Sequence, residues 1–204
     1  MKTGQPTLKL HPSLPPSETC LSCRGCCIFL TPHSPWIPYF RAEEIHQAIE
    51  SGISQKAFPS QEGSRIVPVS HGDAVCCPAL NPDTHHCTIY NVRPLDCFIY
   101  PFILIWDSAQ KVIFLALHAA CPFVFTQAAP LPESLVCRAK ELTQMLQTPQ
   151  MIESLSANPG MIMTIQQDTM LIAPLDRLTM AMAKRVNSPL TNGNEGGCED
   201  EIRN

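Results

Sequence analysis

Four cysteines lie within eight residues near the start of the chain, at positions 20, 23, 26 and 27. Two cysteines separated by two residues can bind one tetrahedral metal ion, because the turn between them brings both sulfur atoms within bonding range. Two such pairs overlap here. The adjacent residues Cys26 and Cys27 are harder to place around a single ion, since successive side chains of an extended segment diverge. Either one of these two is a bystander, or two metal centres share the strip.

A glycine lies inside this strip, at position 25. A chain that wraps a metal turns backbone amides toward the sulfur atoms, and this often requires a positive φ at one residue. We therefore expect Gly25 to adopt such a conformation, in which any other side chain would be costly.

The chain has 204 residues and 11 cysteines. Its first residues contain no signal-peptide core, and no run of about 18 apolar residues could cross a membrane. These features predict a cytoplasmic protein without membrane contact, in which cellular reductants keep ordinary thiols from pairing as disulfides. Metal binding is then the leading explanation for so many cysteines. The alternatives are thiols buried as small hydrophobic groups, or a disulfide framework.

The formal net charge is -4, and no stripe of lysine or arginine could neutralise a phosphate backbone. Nucleic acid is therefore not expected as a partner. The 20 prolines favour turns and irregular connections. We expect an α+β fold: a small, irregular, cysteine-rich domain with short helices and β-hairpins, held together by metal.

Apolar residues at helical spacing predict an amphipathic helix at about 40–51, a second helix within 132–147 and a last helix at 175–185. A single short strand is predicted at 65–70, where Pro68 would confine it to a sheet edge. A hairpin is also predicted between residues 161–165 and 169–173.

A more strongly β-rich hairpin is predicted from residues 102–106 and 111–118, joined by a four-residue turn. Paired antiparallel strands place the residues that flank them side by side. We therefore expect Cys97 and Cys121, which flank this hairpin, to approach each other.

The resulting organisation has four parts. Residues 1–19 form an extended lead-in, 20–122 a cysteine-cluster metal-binding domain, 123–186 a helical and hairpin extension packed on it, and 187–204 a disordered tail. The tail has too little apolar content to offset its ordering entropy.

A second set of cysteines follows the first strip, and the two sets together give eight candidate metal ligands. They are Cys20, Cys23, Cys26, Cys27, Cys77, Cys87, Cys97 and Cys121. His85 and His86 are weaker candidates, because the turn signal at Asn81 places them on a loop. Cys76, Cys137 and Cys198 are left out, and Cys137 is expected to pack in the core from the apolar face of its helix.

These motifs resemble the cysteine-cluster family known as YkgJ-like proteins, described as zinc- or iron-chelating domains. The family pattern opens with Cys-x-x-Cys-x-x-Cys-Cys, which matches residues 20–27. It continues with Cys77 and Leu80, Cys-x-Ile-Tyr at 87–90, Arg-Pro-x-x-Cys at 93–97 and Tyr-Pro-Phe at 100–102. The resemblance covers about residues 20–122. It also extends to flagellin lysine N-methylases, and so implies as an alternative a protein-lysine methylase with an iron–sulfur centre.

The leading interpretation is a metal-binding protein that carries zinc, iron or an iron–sulfur cluster. A cluster of the 4Fe–4S type is preferred, because a polynuclear centre accommodates crowded thiolates better than one ion. No common catalytic motif is present, so enzymatic activity stays open. A third interpretation is a zinc-stabilised interaction module that binds a protein partner through an apolar surface at Trp36–Phe40.

Overall fold

A computed structural model of the protein describes residue 23, residues 25–125 and residues 131–187. The predicted lead-in and Cys20 lie outside these residues, and so does the predicted tail except for residue 187. The mixed α+β class is confirmed, with six α-helices and three small sheets in the described part of the chain. The division into a domain and an extension stays a prediction.

Two small sheets come first in the chain. Their strands are β1 (Ile28–Phe29), β2 (Tyr39–Arg41), β3 (Gly63–Arg65), β4 (Val69–His71) and β5 (Ala74–Cys76). One sheet has the order β1-β5-β4 and is antiparallel throughout, and the other pairs β2 with β3.

Helix α1 (Ala42–Glu50) begins directly after β2 and confirms the first predicted helix. Glu44 closes its first turn, because its carboxylate accepts a hydrogen bond of 2.9 Å from the backbone N–H of Arg41. The helix buries Ile45 and Ala48. Phe40, which the periodicity assigned to the helix, belongs instead to β2.

The single strand predicted at 65–70 is wrong, because the chain forms β3 and β4 with a break between them. At the break, the backbone N–H of Ile66 donates to Pro38 and that of Val67 donates to Ala57. Pro68 has no N–H to offer to a continuous ladder. The segment therefore changes partners at the proline.

The central hairpin is confirmed, with β6 (Phe102–Asp107) and β7 (Val112–His118) paired antiparallel from Phe102–Leu117 to Asp107–Val112. Asp107 stabilises the turn, since its Oδ1 accepts hydrogen bonds from the backbone N–H groups of Ala109 and Gln110.

The second predicted hairpin is wrong. Its two strands exist as β8 (Met163–Thr164) and β9 (Thr169–Pro174), but they do not pair with each other. Strand β8 lies parallel to β6 and β9 lies antiparallel to β7, so the sheet order is β8-β6-β7-β9. The long β6–β7 hairpin offers an open backbone edge on each side, and each later strand satisfies one of them.

The remaining helices are α2 (Leu95–Ile99), α3 (Pro122–Phe125), α4 (Glu133–Leu146), α5 (Pro149–Ala157) and α6 (Asp176–Asn187), with 3-10 turns at Gln55–Ala57, Tyr90–Val92 and Pro159–Met161. The predicted helices at 132–147 and 175–185 are therefore confirmed. The expectation for Cys137 is wrong, because this residue is exposed and the buried face of α4 contains Arg138 instead.

Two principal clusters of buried side chains organise the described residues. The N-terminal core lies among the two small sheets and α1, and it consists of Phe29, Ile37, Phe40, Ile45, Ala48, Ile53, Phe58, Ile66, Cys77, Ala79 and Ile89. The larger C-terminal core joins one face of the β6–β7 hairpin to helices α2–α6, and its centre includes Leu104, Leu115, Leu117, Leu142 and Leu178.

Candidate metal centre

Sheet pairing brings the first cysteine strip to the second set. Strand β1 follows Cys27 directly and pairs with β5, so that Ile28 lies opposite Cys76. The backbone N–H of Cys77 donates to the carbonyl oxygen of Cys27 over 2.9 Å. Residues 50 positions apart in sequence are thus neighbours in space.

A short loop positions the third segment of the site, which contains Cys87. The isolated bridge between Leu80 and Cys87 closes it, and the backbone N–H of Thr88 donates to Ala79. Inside the loop, Asn81 Oδ1 accepts from the backbone N–H groups of Asp83 and Thr84, which is the predicted turn.

One cavity of about 820 Å³ joins these segments. Five of the eight predicted ligands line it: Cys26, Cys27, Cys77, Cys87 and Cys97. Its other walls are largely apolar and include Trp36, Phe98 and Met163. The loop histidines His85 and His86 also line it.

Cys26 interacts with four other cysteines of the site. Its hydrogen bond with Cys27, together with burial, raises the pKa of the Cys26 thiol well above its ordinary value. Cys26 also acts electrostatically on three other thiols, those of Cys77, Cys87 and Cys97.

Burial also disfavours the thiolate form of the other three thiols of this group. Burial raises the pKa of Cys77 to about 12, and burial likewise raises the pKa of Cys87 and of Cys97. A metal ion binds the thiolate, so ligation must release these protons. The neighbouring guanidinium of Arg93 partly opposes the rise in pKa at Cys26 and Cys87.

Cys121 follows the second strand of the hairpin. It lies beside the hydroxyl of Tyr100 and within electrostatic range of Cys23. Burial raises the pKa of the Cys121 thiol and that of the Tyr100 hydroxyl. Tyr100 is also within electrostatic range of Cys26, so its hydroxyl connects Cys23 and Cys121 with the thiols around Cys26.

The thiols that line the cavity are not drawn together around a single point. Among residues 23, 25–125 and 131–187, no group of three or more histidine, cysteine or acidic side chains is close enough to hold one ion. Nine cysteines of this part of the chain are free thiols. Soft thiolate donors match zinc and iron in chemistry.

One detail of the strip and one of its surroundings bear on earlier expectations. A β-carbon at Gly25 would lie 3.3 Å from the sulfur of Cys23, a close contact that agrees with the expected cost of a side chain there. The proposed docking surface at residues 36–40 is wrong, because Ile37, Tyr39 and Phe40 are buried.

A linked set of side chains on the cavity wall was missed by sequence reasoning. The indole of Trp36 stacks on the imidazole of His118, with ring centroids 3.7 Å apart. Nδ1 of His118 is 2.9 Å from the hydroxyl of Tyr100. Only Tyr100 lay in a recognised motif, and no sequence signal connects the three.

His118 makes the stability of the metal-free protein sensitive to acid. Burial lowers the pKa of this imidazole, so the folded state favours its neutral form. Above the pKa of about 6.5 that His118 has in the unfolded chain, the neutral imidazole contributes its full stability to the folded state. This contribution is lost as the pH falls through the lower pKa that His118 has in the folded protein. We expect His118→Gln, which keeps an amide for Tyr100, to lose less stability than the unmodified protein between pH 7 and pH 5.

Urea unfolding midpoints at the two pH values, measured with a chelator present, test this expectation. His46→Gln is the control, because His46 is 75% exposed and does not line the cavity. Equal losses in His118→Gln and the unmodified protein would contradict the assignment.

Comparison with known families gives one match. A family model described as "CxxCxxCC: Putative zinc- or iron-chelating domain" matches residues 19–122. No curated protein and no solved structure matches the chain. In the described residues, none of the helices has both the length and the apolar character needed to cross a bilayer.

Proposed function

The chain belongs to the CxxCxxCC family of zinc- or iron-chelating domains, and from this premise we propose that it binds metal through the group Cys26, Cys77, Cys87 and Cys97. The observation that supports this ligand set most directly is that segments far apart in sequence contribute these thiols to one cavity. Free thiols of this kind require a reducing compartment, which is consistent with the expected cytoplasmic location.

We further propose an iron–sulfur cluster of the 4Fe–4S type as the bound group. The crowding of eight candidate cysteines, with Cys26 directly next to Cys27, supports it, because a polynuclear centre accommodates crowded thiolates better than one ion does. Cys23 and Cys121, together with Cys20 and Cys27, remain candidates for a second centre.

Anaerobic purification followed by elemental and sulfide analysis tests both levels of this proposal. A brown protein with iron and acid-labile sulfide is the expected result. A colourless protein with stoichiometric zinc would replace the cluster with a zinc site but keep the chelating function. Protein that takes up neither metal under reducing conditions would contradict the function itself.

The methylase alternative rests on the sequence resemblance alone. A thermal-shift assay with S-adenosylmethionine tests it directly, since a ligand that binds only the folded state raises the unfolding temperature. No shift at saturating ligand would leave this alternative without support.

A further inference from the structure

An arginine is buried where helix α4 packs against the C-terminal core. Arg138 is only 4% exposed. Its Nη1 lies 3.3 Å from a carboxylate oxygen of Glu141, whose side chain is 36% exposed. Its Nη2 is buried without a hydrogen-bond partner. A buried charge is costly unless it is fully paired and hydrogen-bonded, so Glu141 balances Arg138 only from the solvent side and leaves one buried donor unsatisfied.

A second guanidinium group has the same character. Nε of Arg93 is buried without a hydrogen-bond partner, and no carboxylate pairs with Arg93 in the part of the chain that the structure describes. Aromatic rings hold it instead, with its central carbon 4.1 Å from the Tyr90 centroid and 5.5 Å from that of Phe98. Arg138 lies 5.2 Å from the same Phe98 centroid. Both guanidinium groups therefore lie close to the ring of Phe98, the residue that follows Cys97.

Among the described residues, no carboxylate pairs with Arg93, and Glu141 is the one that pairs with Arg138. Among the described residues that line the cavity, Asp96 is the one acidic side chain. Its Oδ2 already accepts a hydrogen bond of 2.9 Å from the backbone N–H of Tyr39 and lies 4.0 Å from Nη1 of Arg65. Arg93 lines the same cavity as Cys26, Cys87 and Cys97. Once a bound metal has displaced their protons, the thiolates bring negative charge into the cavity that Arg93 lines.

We propose that Arg93 and Arg138 are the counter-charges of an anionic metal–thiolate centre at Cys26, Cys77, Cys87 and Cys97. They act as positioning residues, since they stabilise the ligated thiolates without binding the metal. This inference rests on the proposed function and narrows it. A 4Fe–4S cluster core of charge +2, like a divalent ion, carries two excess negative charges when four thiolates hold it; Arg93 offsets them directly, and Arg138, which Glu141 also neutralises, offsets them in part. A centre with two thiolates and two neutral histidines, such as His85 and His86, would be neutral and would leave both arginines unbalanced.

The test compares metal-free and zinc-loaded protein for Arg93→Met, Arg138→Met and Arg93→Lys. Because a methionine has similar length but no charge, Arg93→Met is expected to weaken zinc binding by roughly 10–100-fold in chelator competition. Arg138→Met should show a smaller loss, and Arg93→Lys, which keeps the charge, a smaller loss than Arg93→Met. Lys140→Met removes an exposed positive charge from the same helix as Arg138 and should not change the affinity.

Thermal unfolding gives a readout that a purely structural role would not produce. Without metal, the methionine variants should unfold at the same temperature as the unmodified protein or higher, because a buried unbalanced charge has been removed. With zinc, they should unfold at a lower temperature than the unmodified protein. If Arg93→Met does not fold, Arg138→Met carries the test alone. If neither the unmodified protein nor the variants fold without metal, the ranking of their zinc affinities tests the inference instead.

Three results would overturn the inference. Equal zinc affinity in the unmodified protein and in both methionine variants would show that the arginines do not balance the centre. An equal fall in unfolding temperature with and without zinc would assign them to packing. Inorganic sulfate that stabilises the metal-free protein, and does so only when Arg93 is present, would assign them to a free anion. Failure of the unmodified protein to bind any metal would instead remove the proposed function, and this inference with it.

Discussion

Replacing Cys26 with serine is expected to weaken metal binding by roughly a hundredfold. Structural zinc contributes about 10–16 kcal/mol in small domains with four ligands, so the loss of one ligand should remove roughly 3 kcal/mol. Cys26 is the most informative choice because it acts electrostatically on Cys77, Cys87 and Cys97. Competition with a chelator of known affinity, under anaerobic reducing conditions, measures the effect.

Cys137→Ser provides the matched control. Cys137 is an exposed thiol on α4 and does not line the cavity, so its loss should leave the affinity unchanged. Cys76→Ser adds a second comparison, because Cys76 is buried next to Cys77 but was not predicted to be a ligand. Metal affinity that falls equally in Cys76→Ser and Cys26→Ser would show that general disruption, and not ligand loss, explains the result.

Removing the metal is expected to destabilise the N-terminal core selectively. This core contains eleven buried residues, and the strands of the two small sheets have only two or three residues each. Small cores of this size usually require a metal or disulfides to remain folded. The C-terminal core has nineteen buried residues and a hairpin with strands of six and seven residues. It should therefore persist without metal.

Amide hydrogen exchange, with and without chelator, measures this difference by region. Exchange of the Cys77, Leu80 and Thr88 amides should accelerate by at least roughly a hundredfold, which corresponds to about 3 kcal/mol of lost local stability. Amides paired between β6 and β7 should keep their protection. Uniform acceleration in both regions would show that the two cores unfold together, and unchanged exchange would show that the metal is not needed for folding.

The elements that could be predicted from sequence are those whose interactions are local. The β6–β7 hairpin and helix α4 follow from alternating or helical hydrophobic patterns and from nearby turn residues. The partners of β8 and β9 could not be predicted, because strand pairing is decided by contacts with residues distant in sequence. The broken strand at Pro68 shows the same limit, since its backbone partners lie at Pro38 and Ala57.

For the candidate site, sequence reasoning indicated candidate donors but not their surroundings. Cysteine spacing pointed to the thiols, whereas a neighbour such as the Tyr100 hydroxyl beside Cys121 could not be predicted. Apolar periodicity also placed Cys137 inward, although the buried position belongs to Arg138. A charged residue on a buried face contradicts the usual hydrophobic pattern, and here its aromatic contact with Phe98 explains the exception.

The order of strands in the four-stranded sheet has a consequence for synthesis on the ribosome. Chains emerge from their N-terminus, and domains generally fold in that order. Every candidate ligand has been synthesised by residue 121, whereas both outer strands of the sheet lie within residues 163–174. The thiols are therefore available to an incoming metal while the β6–β7 hairpin still has both backbone edges open. A nascent chain that acquires its metal early would hold the N-terminal core in place until the last strands arrive to close the sheet.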